Sequence, residues 1–329
     1  MRKFERELVS EWRRLEMPFA DKNIIVAVSG GSDSISLLLA VDELRKQKKL
    51  DLRFVAAHFN HHLRDKESDE DESIVRGIAA ERNIELAVGH SKQTPHANVE
   101  QIARLDRYEF LHETAANLRA FAVVTAHTLD DQAETFLLNL IRGSGARGLA
   151  GMRPVRDLDD TDPTIKLIRP LLGWARRSDT ESYCHELGVA YCSDTMNDDE
   201  SFTRVRVRKI LLPLLKDFNP KIVERLADTA RLLQTDFRET PMDSGEPLTL
   251  SDLRLLADTD LKRVVRAWIW ANRGHLRQIE LKHVEAIERL IKSRKSGKTI
   301  ELPGGYEVIK DGGRLVFGKN MVEKRGSDN

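Results

Sequence analysis

The chain has 329 residues, of which 40% are hydrophobic and 32% charged, with 53 basic side chains balanced by 53 acidic ones. This length is typical of two ordinary domains. The longest apolar runs, such as Ile24–Val28, are far shorter than the roughly 20 residues of a membrane-spanning helix, and no apolar segment follows the charged N-terminus. With only two cysteines, the sequence argues against a membrane protein, a disulfide scaffold and a four-thiolate zinc site, and it predicts a cytoplasmic protein.

Along roughly the first 220 residues, short β-rich runs alternate with helical patterns. The predicted strands are Ile24–Val28, Phe54–His58, Leu86–Val88, Phe121–Thr125 and Lys166–Ile168. Five helices are predicted. The first runs through Ile35, Leu38 and Leu39, and the second ends at about Asn83; the others cover about 98–118, Asp130–Arg142 and Ser178–Leu187. Such alternation indicates a doubly wound α/β fold, with a mainly parallel sheet covered on both faces.

The remainder of the chain has a different pattern. Helical periodicity runs from Val205 to about Arg238 with a break at Asn219-Pro220, and a turn-rich segment follows at 241–247. Further helices are predicted at 251–256, 261–271 and 281–292, and short strands at 299–302, 306–309 and 314–317. We therefore predict an α/β domain over 1–220, a helical linker over 221–247 and a small α+β domain over 248–329.

Residues 262–298 carry eleven lysines and arginines against three glutamates. A surplus of this kind attracts a phosphate backbone, which makes the C-terminal domain a candidate nucleic-acid-binding region. A solvated helical face explains the same charges about equally well.

The sharpest motif is the six-residue segment SGGSDS at 29–34, between the first predicted strand and the first helix. Such a turn lies at the carboxyl end of a parallel strand, where doubly wound sheets bind ligands. Two glycines allow close approach of an anion, and the helix N-terminus offers hydrogen bonds to phosphate. A serine-capped turn is the structural alternative. The candidate phosphate contacts are Ser29, Gly30, Gly31, Ser32, Asp33 and Ser34.

This loop differs from the GxxxxGK[ST] phosphate loop because no glycine–lysine pair follows at the required spacing. Asp33 stands where a cation is expected. A carboxylate beside a polyphosphate needs Mg²⁺ between them or a role in ordering the loop, so Asp33 is a candidate Mg²⁺ ligand. This combination favours pyrophosphate recognition and nucleotidyl transfer. A GxGxxG pattern at Gly143, Gly145 and Gly148 follows a helix instead of a strand, and we predict no dinucleotide site there.

A second group of polar residues follows the fourth predicted strand. His127, Asp131 and Glu134 are spaced i, i+4 and i+7, which places them on one face at the start of a helix. Helix capping explains Asp130 and Asp131 as well, and an HxxxD metal site lacks further ligands. Paired carboxylates are the receptor expected for a ligand that carries ammonium groups.

These segments resemble a known family. The 29–34 loop is similar to the SGGxDS loop of PP-loop ATP pyrophosphatases, whose fold is adenine nucleotide alpha hydrolase-like, and later blocks narrow the resemblance to the tRNA(Ile)-lysidine synthetases. Those blocks are HFNHHLR at 58–64, ARLDRY at 103–108, AHTLDDQAET at 126–135, RPLL at 169–172 and TRVRVR at 203–208. The resemblance is strong over about 20–220, and the LPGG segment at 302–305 looks like the start of the family's small C-terminal domain.

The resemblance implies a carbon–nitrogen ligase that uses ATP and Mg²⁺ and releases AMP and pyrophosphate. ATP would adenylate the C2 oxygen of cytidine 34 in the CAU anticodon of a minor isoleucine tRNA, and free lysine would then displace AMP to give lysidine. By resemblance, the 29–34 loop and His58 contact ATP. Asp33, Arg107 and His127 are implied to be catalytic, and Asp131 and Glu134 to bind lysine. Arg204, Arg206 and Arg208 are expected to contact tRNA, together with the C-terminal domain.

Structural interpretations of some of these residues remain open, such as a surface ion pair for Arg107. The departures from the family are Val205, where asparagine is usual, and His62, where glycine is common. The chain looks like the short form of the family, and its oligomeric state is open, with a homodimer as one candidate. The alternative functions are a PP-loop tRNA sulfur-transfer enzyme, for which Cys184 and Cys192 are poorly placed and expected in the core, and a non-catalytic nucleotide-binding RNA chaperone.

Overall fold

The computed structural model describes residues 1–62, 66–91, 99–159, 162–192, 203–236, 246–256, 258–276, 278–293 and 297–319. The chain divides into two compact units. Unit 1 comprises residues 1–138 and 151–231, and unit 2 comprises residues 139–150 and 232–329. Most of the predicted turn-rich segment 241–247 lies outside the described residues, as do Arg277, Arg294 and Lys295 of the basic segment.

The elements of unit 1 follow the predicted alternation. The strands are β1 (Ala20–Ala27), β2 (Asp51–Asn60), β3 (Leu86–His90), β4 (Ala122–Val124), β5 (Val155–Asp157) and β6 (Lys166–Ile168). The first helices are α1 (Lys3–Arg14), α2 (Ser32–Lys46), α3 (Lys66–Arg82), α4 (Val99–Asn117) and α5 (Leu129–Ile141), followed by the short α6 (Ala146–Leu149) within unit 2. The later helices are α7 (Arg177–Glu186), α8 (Thr203–Arg206), a π-helical turn (Val207–Leu211), α9 (Leu212–Phe218) and α10 (Ile222–Asp236).

The sheet of unit 1 has the strand order β3-β2-β1-β4-β6-β5. All neighbouring strands are parallel except β5, which pairs antiparallel with β6 at the edge. Side chains of β1 alternate between two buried clusters: Ile24 and Val26 pack on the face that carries α1, α2 and α3, and Ile25 packs on the opposite face with α4. The prediction of a doubly wound, mainly parallel sheet covered on both faces is confirmed.

Two elements at the sheet were not predicted. The helix α1 buries Phe4, Leu8 and Trp12, spaced four residues apart, in the same cluster as β1. The edge strand β5 has three residues and no continuous apolar run, so its sequence carries little strand signal.

The boundary between the units differs from the predicted end of the α/β domain at residue 220. The first part of α10 buries Val223 and Ala227 against Leu129, Ala133 and Leu137 of α5. This apolar face keeps the helix in unit 1 as far as Arg231, so these residues are part of a core and not a linker. The segment 139–150 belongs to unit 2 although the chain enters it from α5.

Unit 2 is a small α+β unit, as predicted. Its elements are β7 (Leu248–Thr249), α11 (Leu250–Leu253), α12 (Asp258–Arg273), α13 (Leu281–Lys292), β8 (Thr299–Leu302), β9 (Tyr306–Asp311) and β10 (Arg314–Lys319). The four strands form an antiparallel sheet in the order β7-β10-β9-β8. Trp268 of α12, Ile287 of α13 and Val308 of β9 belong to one core that joins these helices to the sheet. Across all the ranges described, no helix combines the length and apolarity needed to cross a bilayer.

Candidate active site

The glycine loop after β1 is closed by its own hydrogen bonds. Ser34 Oγ accepts a bond of 3.0 Å from the backbone N–H of Ser29 and donates one of 3.0 Å to the carbonyl of Gly31. Gly30 has φ +96°, a conformation that side-chain-bearing residues rarely adopt, and a Cβ there would lie 3.3 Å from Cβ of Asp71. The glycine is therefore required by both its conformation and its close packing. Ser32 begins α2 directly after the turn.

A cavity of about 420 Å³ opens beside this loop. It lies at the carboxyl ends of β1, β2 and β4, where a doubly wound sheet binds ligands. The predicted site residues that line it are Ser29, Asp33, Ser34, His58, Arg107, His127 and Asp131. The tertiary structure thus brings together residues from four segments of the sequence around one space.

His58 is buried in the cavity wall and presents one unused acceptor. Its Nδ1 lies 3.0 Å from the carbonyl oxygen of Val28, which can only accept, so Nδ1 carries the proton. Nε2 then has a lone pair, and it has no hydrogen-bond partner among the described residues. Burial lowers the pKa of His58, which keeps the ring neutral. A ligand that donates a hydrogen bond to Nε2 would satisfy this buried atom.

Asp33 forms the acidic side of the cavity. Burial raises the pKa of Asp33 to about 6, with a further contribution from the negative charge of Asp131. Thr180 donates a hydrogen bond of 2.5 Å to Oδ1, and Arg177 Nε lies 3.8 Å from Oδ2. Within the described ranges no group of three or more His, Cys, Asp or Glu side chains could hold a metal by itself. A single carboxylate suits Mg²⁺ that takes its other ligands from phosphate and water, so Asp33 fits that role.

His127 is a neutral imidazole in this site. Burial lowers its pKa to about 3, and the nearby charges of Arg169, Arg107 and Arg204 act in the same direction against Asp131. Its Nδ1 lies 3.0 Å from Oγ1 of Thr125. The ring therefore offers a hydrogen bond or a lone pair, and it is not a cation before a ligand binds.

One arginine lines this cavity and a second acts on it through its charge. Arg107 lines it, and burial together with the charge of Arg104 lowers the pKa of Arg107. Arg169 is buried, donates a bond of 2.7 Å to the carbonyl of Arg153, and leaves Nε without a partner among the described residues. Burial also lowers the pKa of Arg169. Arg169 is buried and Arg107 is half-buried, and neither has a carboxylate partner among the described residues, so both are suited to an anionic ligand such as a polyphosphate.

Asp131 and Glu134 lie side by side on α5, as their spacing predicted, but arginines of the same chain contact both. Arg204 donates bonds of 2.8 Å to Glu134 and 3.0 Å to Asp131, and Arg208 donates bonds of 2.7 and 3.1 Å to Glu134. Arg177 lies 3.6 Å from Glu134 and 3.7 Å from Asp131. Burial opposes ionisation of Asp131, but Arg204 and its other partners outweigh it and lower the pKa. Glu134 is fully buried by this cluster.

Helix capping and ligand binding, the two interpretations of the acidic pair 130–131, are separated by geometry. Asp130 receives two bonds, of 3.0 and 2.9 Å, from the guanidinium of Arg176 and one of 2.9 Å from the N–H of Arg177, which ties α5 to the start of α7. Asp131 uses Oδ2 to accept the N–H of Thr128, and only Oδ1 faces the arginines. Asp130 therefore has a structural position, and Asp131 combines capping with a place in the site.

The arginines of the Arg-rich block, which were expected together at the tRNA, face different ways. Arg204 and Arg208 contact the carboxylates, whereas Arg206 is exposed. Val205 is buried, so it cannot contact a base from this position. His62 has φ +50°, which explains why glycine suits the same place.

The two cysteines differ in their surroundings. Cys184 is buried, as expected, and burial raises the pKa of its thiol to about 12. Cys192 is only half-buried, and its N–H donates to the carbonyl of Gly30 in the glycine loop at 2.9 Å, which differs from the expected core position.

Three site residues were not predicted as such. Arg169 stands in the RPLL block at 169–172, so the sequence marked this segment but did not predict that the arginine side chain belongs to the site. Arg177 and Thr180 begin α7, and Thr180 contacts Asp33 across 147 residues of sequence. No local pattern predicts that contact.

Comparisons with known proteins agree with this geometry. The sequence matches the family described as "PP-loop domain" over residues 3–215. It is 34% identical over 320 residues to a tRNA(Ile)-lysidine synthase of Geobacter sulfurreducens, covering 91% of this chain and 66% of that protein. A tRNA(Ile)-lysidine synthase of Dehalococcoides mccartyi is 34% identical over 309 residues, covering 88% of this chain and 64% of that protein. One of Salinispora arenicola is 33% identical over 311 residues, covering 89% of this chain and 90% of that protein. The chain thus spans just under two thirds of the first two relatives.

A solved structure shares the fold. The U34-tRNA thiolase NcsA from Methanococcus maripaludis, solved with its 4Fe–4S cluster, superposes with a TM-score of 0.58 at 16% sequence identity. The match covers 74% of this chain and 82% of that protein. At this identity the likeness concerns the fold alone.

Proposed function

This chain belongs to the PP-loop family and, within it, to the tRNA(Ile)-lysidine synthases, and on that premise we propose that it ligates lysine to C2 of cytidine 34 in a minor isoleucine tRNA with a CAU anticodon. The C2 oxygen of the cytidine would attack the α-phosphorus of ATP and release pyrophosphate. An amine of free lysine would then attack C2 and expel AMP, which leaves with that oxygen. The observation that carries the proposal is the position of Asp131: it lines the nucleotide-sized cavity and belongs to a carboxylate pair that binds cations.

We assign different residues of the cavity to different parts of ATP. The glycine loop and Arg107 would hold the phosphates, because the loop offers backbone N–H groups and Arg107 offers a half-buried positive charge. Mg²⁺, when bound by Asp33 and the phosphates, would neutralise charge on the leaving pyrophosphate. His58 Nε2 would accept a hydrogen bond from the exocyclic amine of adenine, which would satisfy the buried atom that lacks a partner within the described structure.

His127 lines the same cavity and would act on the adenylation step. Because burial lowers its pKa to about 3, the ring would enter the reaction neutral. The negative phosphates would raise that pKa on binding, and the ring could then take up or share a proton near the α-phosphate.

We further infer that Arg204 and Arg208 occupy the lysine site in the absence of substrates. Three arginines face Asp131 and Glu134, so the pair has no excess negative charge to offer an incoming ammonium group. The Arg204 side chain is 44% exposed and can turn outward, whereas Arg208 is 22% exposed. A tRNA phosphate that captured Arg204 would free Asp131 for lysine, so that lysine binding would follow tRNA binding.

The test is incorporation of radiolabelled lysine into a minor isoleucine tRNA transcript in the presence of ATP. We expect incorporation that requires cytidine 34 and is accompanied by one AMP per lysine. Lack of incorporation with the full chain, or incorporation that persists when cytidine 34 is replaced, would contradict the proposal. Sulfur incorporation at the tRNA in its place would indicate the thiolation alternative, which the buried, high-pKa thiol of Cys184 disfavours.

The lysine site is tested by two variants in the same assay. Asp131→Asn should raise the KM for lysine far more than the KM for ATP, because it removes a cation receptor and leaves the loop intact. Arg204→Gln should let lysine bind without tRNA, measured by equilibrium dialysis, and the exposed Arg206→Gln is its matched control. Equal effects of Asp131→Asn on both KM values would argue against the assignment.

A further inference from the structure

Unit 2 has a cavity of its own, of about 1090 Å³, which the function proposed above does not use. Its walls come from the segment 139–148, the end of α12, residues 274–276 and 278–280, and the turn before β9. This volume lies just above the range of roughly 300–1,000 Å³ that is usual for small-molecule sites. The GxGxxG segment at 143–148, which no dinucleotide role explains, forms one of these walls.

The cavity is strongly basic. Four arginines line it: Arg142, Arg147, Arg266 and Arg273. The acidic residue among its described lining is Glu280, which already pairs with Lys282 at 2.9 Å. Burial lowers the pKa of Arg266, and among the described residues no carboxylate offsets that effect. An anion bound in the cavity would offset the free energy that burying the positive charge of Arg266 costs.

The glycine segment explains how Arg266 reaches this wall. A Cβ at Gly145 would lie 2.8 Å from Nη2 of Arg266, so the guanidinium packs directly on the bare backbone of the loop. The glycine therefore makes room for a cation of the same unit, which is a different use of the GxGxxG spacing from the close approach of a dinucleotide.

Flat surfaces accompany the charges. The guanidinium of Arg147 lies 3.9 Å from the ring centroid of Trp270, and that of Arg273 lies 4.9 Å from the ring centroid of Tyr306. Arginine–aromatic layers of this kind combine a stacking surface with a positive charge. Unpaired bases stack on such surfaces, and their phosphates bind the neighbouring arginines.

We propose that this cavity binds an unpaired segment of RNA, with phosphates at Arg142 and Arg266 and bases on the layers formed by Trp270 and Tyr306. The spread of four arginines over separate segments suits a chain of phosphates better than one small anion, and the large volume agrees with that. The proposal rests on the proposed function only in taking the isoleucine tRNA as the RNA.

The test measures binding of a labelled tRNA transcript and of a short single-stranded RNA to the full chain, over about 50 to 200 mM salt. Arg266→Gln should weaken binding of both about tenfold and reduce the salt slope by about one. Arg263→Gln is the matched control, because Arg263 lies on the same helix, outside the cavity, and pairs with Asp260 at 3.2 Å with 70% of its side chain exposed. An equal loss in both variants would indicate diffuse charge attraction and overturn the proposal.

A second variant separates stacking from charge. Trp270→Leu should weaken binding about five- to a hundredfold with the salt slope unchanged, since base stacking involves no counterion release. Thermal unfolding midpoints show whether either variant still folds. Stoichiometric competition by AMP would mark a mononucleotide site and overturn the RNA assignment.

The outcome can be separated from that of the proposed function. A wild-type chain that incorporates lysine while Arg266→Gln and Trp270→Leu bind RNA normally would overturn this inference alone. A wild-type chain that binds RNA in this cavity without incorporating lysine would overturn the proposed function alone.

Discussion

Arginines line or border both cavities, but their charges meet different partners. In unit 1, burial opposes the charge of Arg177 and Arg204, yet the carboxylates of Asp131 and Glu134 outweigh it and raise the pKa of both guanidiniums. In unit 2, burial alone lowers the pKa of Arg266. The first arrangement is neutralised within the protein and can exchange one cation for another, whereas the second retains positive charge for an external anion.

Arg107 is the instructive exception in unit 1. It lines the cavity beside the glycine loop, and burial lowers its pKa, as it does for Arg266. The difference between the cavities is therefore not a difference between the units. It follows from whether a carboxylate faces each guanidinium, and substitutions can test it residue by residue.

The largest effect is expected from Glu134→Gln. This change leaves Arg204 and Arg208 without their shared buried carboxylate, and breaking a buried pair costs about 3–5 kcal/mol of the free energy of unfolding. Arg266→Gln in unit 2 should cost less than about 1 kcal/mol or stabilise the chain, because it removes a partly desolvated charge that has no carboxylate partner among the described residues. Urea unfolding monitored by circular dichroism measures both, and similar losses would remove the proposed difference between the two cavities.

Asp33→Asn should stabilise the protein at neutral pH. The pKa of Asp33 is raised from 3.8 to about 6, so its contribution to stability is complete below the unfolded pKa and is lost as the pH rises through about 6. At 1.36 kcal/mol per unit, the variant should gain roughly 3 kcal/mol above pH 7 and little near pH 4. Asp130→Asn is the opposite control: burial opposes ionisation of Asp130, but bonds from Arg176 and Arg177 lower its pKa. That variant should lose stability at neutral pH, and a gain in both would contradict the assignment.

Arg107→Gln tests the exception in unit 1. Loss of a hydrogen bond to a charged phosphate should raise the KM for ATP about 10- to 100-fold, with little change in the free energy of unfolding. Pyrophosphate exchange with ATP in the presence of tRNA measures it. An unchanged KM for ATP, or an equal rise in the KM for lysine, would place Arg107 outside the phosphate site.

The smallest effect concerns His58. His58→Leu should raise the KM for ATP about five- to tenfold by removing the Nε2 acceptor. A purine nucleotide without the exocyclic amine should show the same loss in the wild type and no further loss in the variant. Additive losses would mean that Nε2 and the amine do not meet.

Much of the site's local structure could be predicted from the chain. The run of Ile24 to Val28 before SGGSDS predicted a buried strand followed by a tight turn. The structure has the strand β1 there, and Gly30 in the turn that follows has φ +96°. The spacing of Asp131 and Glu134 predicted one helical face, and Arg204 contacts both. The helical patterns in the 221–247 segment could not predict that α10 packs in the core of unit 1, because its partners on α5 lie about 90 residues earlier.

What the sequence by itself determined is the set of strand–loop–helix units and their family, because periodicity and turn chemistry act between residues close in the chain. Only the tertiary structure decided which charges meet. Arg204 reaches Glu134 across 70 residues, whereas Arg266 packs on Gly145 and meets no acidic side chain in the part of the chain that the structure describes. The physical reason is that a guanidinium takes its character from the groups that share its desolvated space, and the order of residues along the chain does not specify that space.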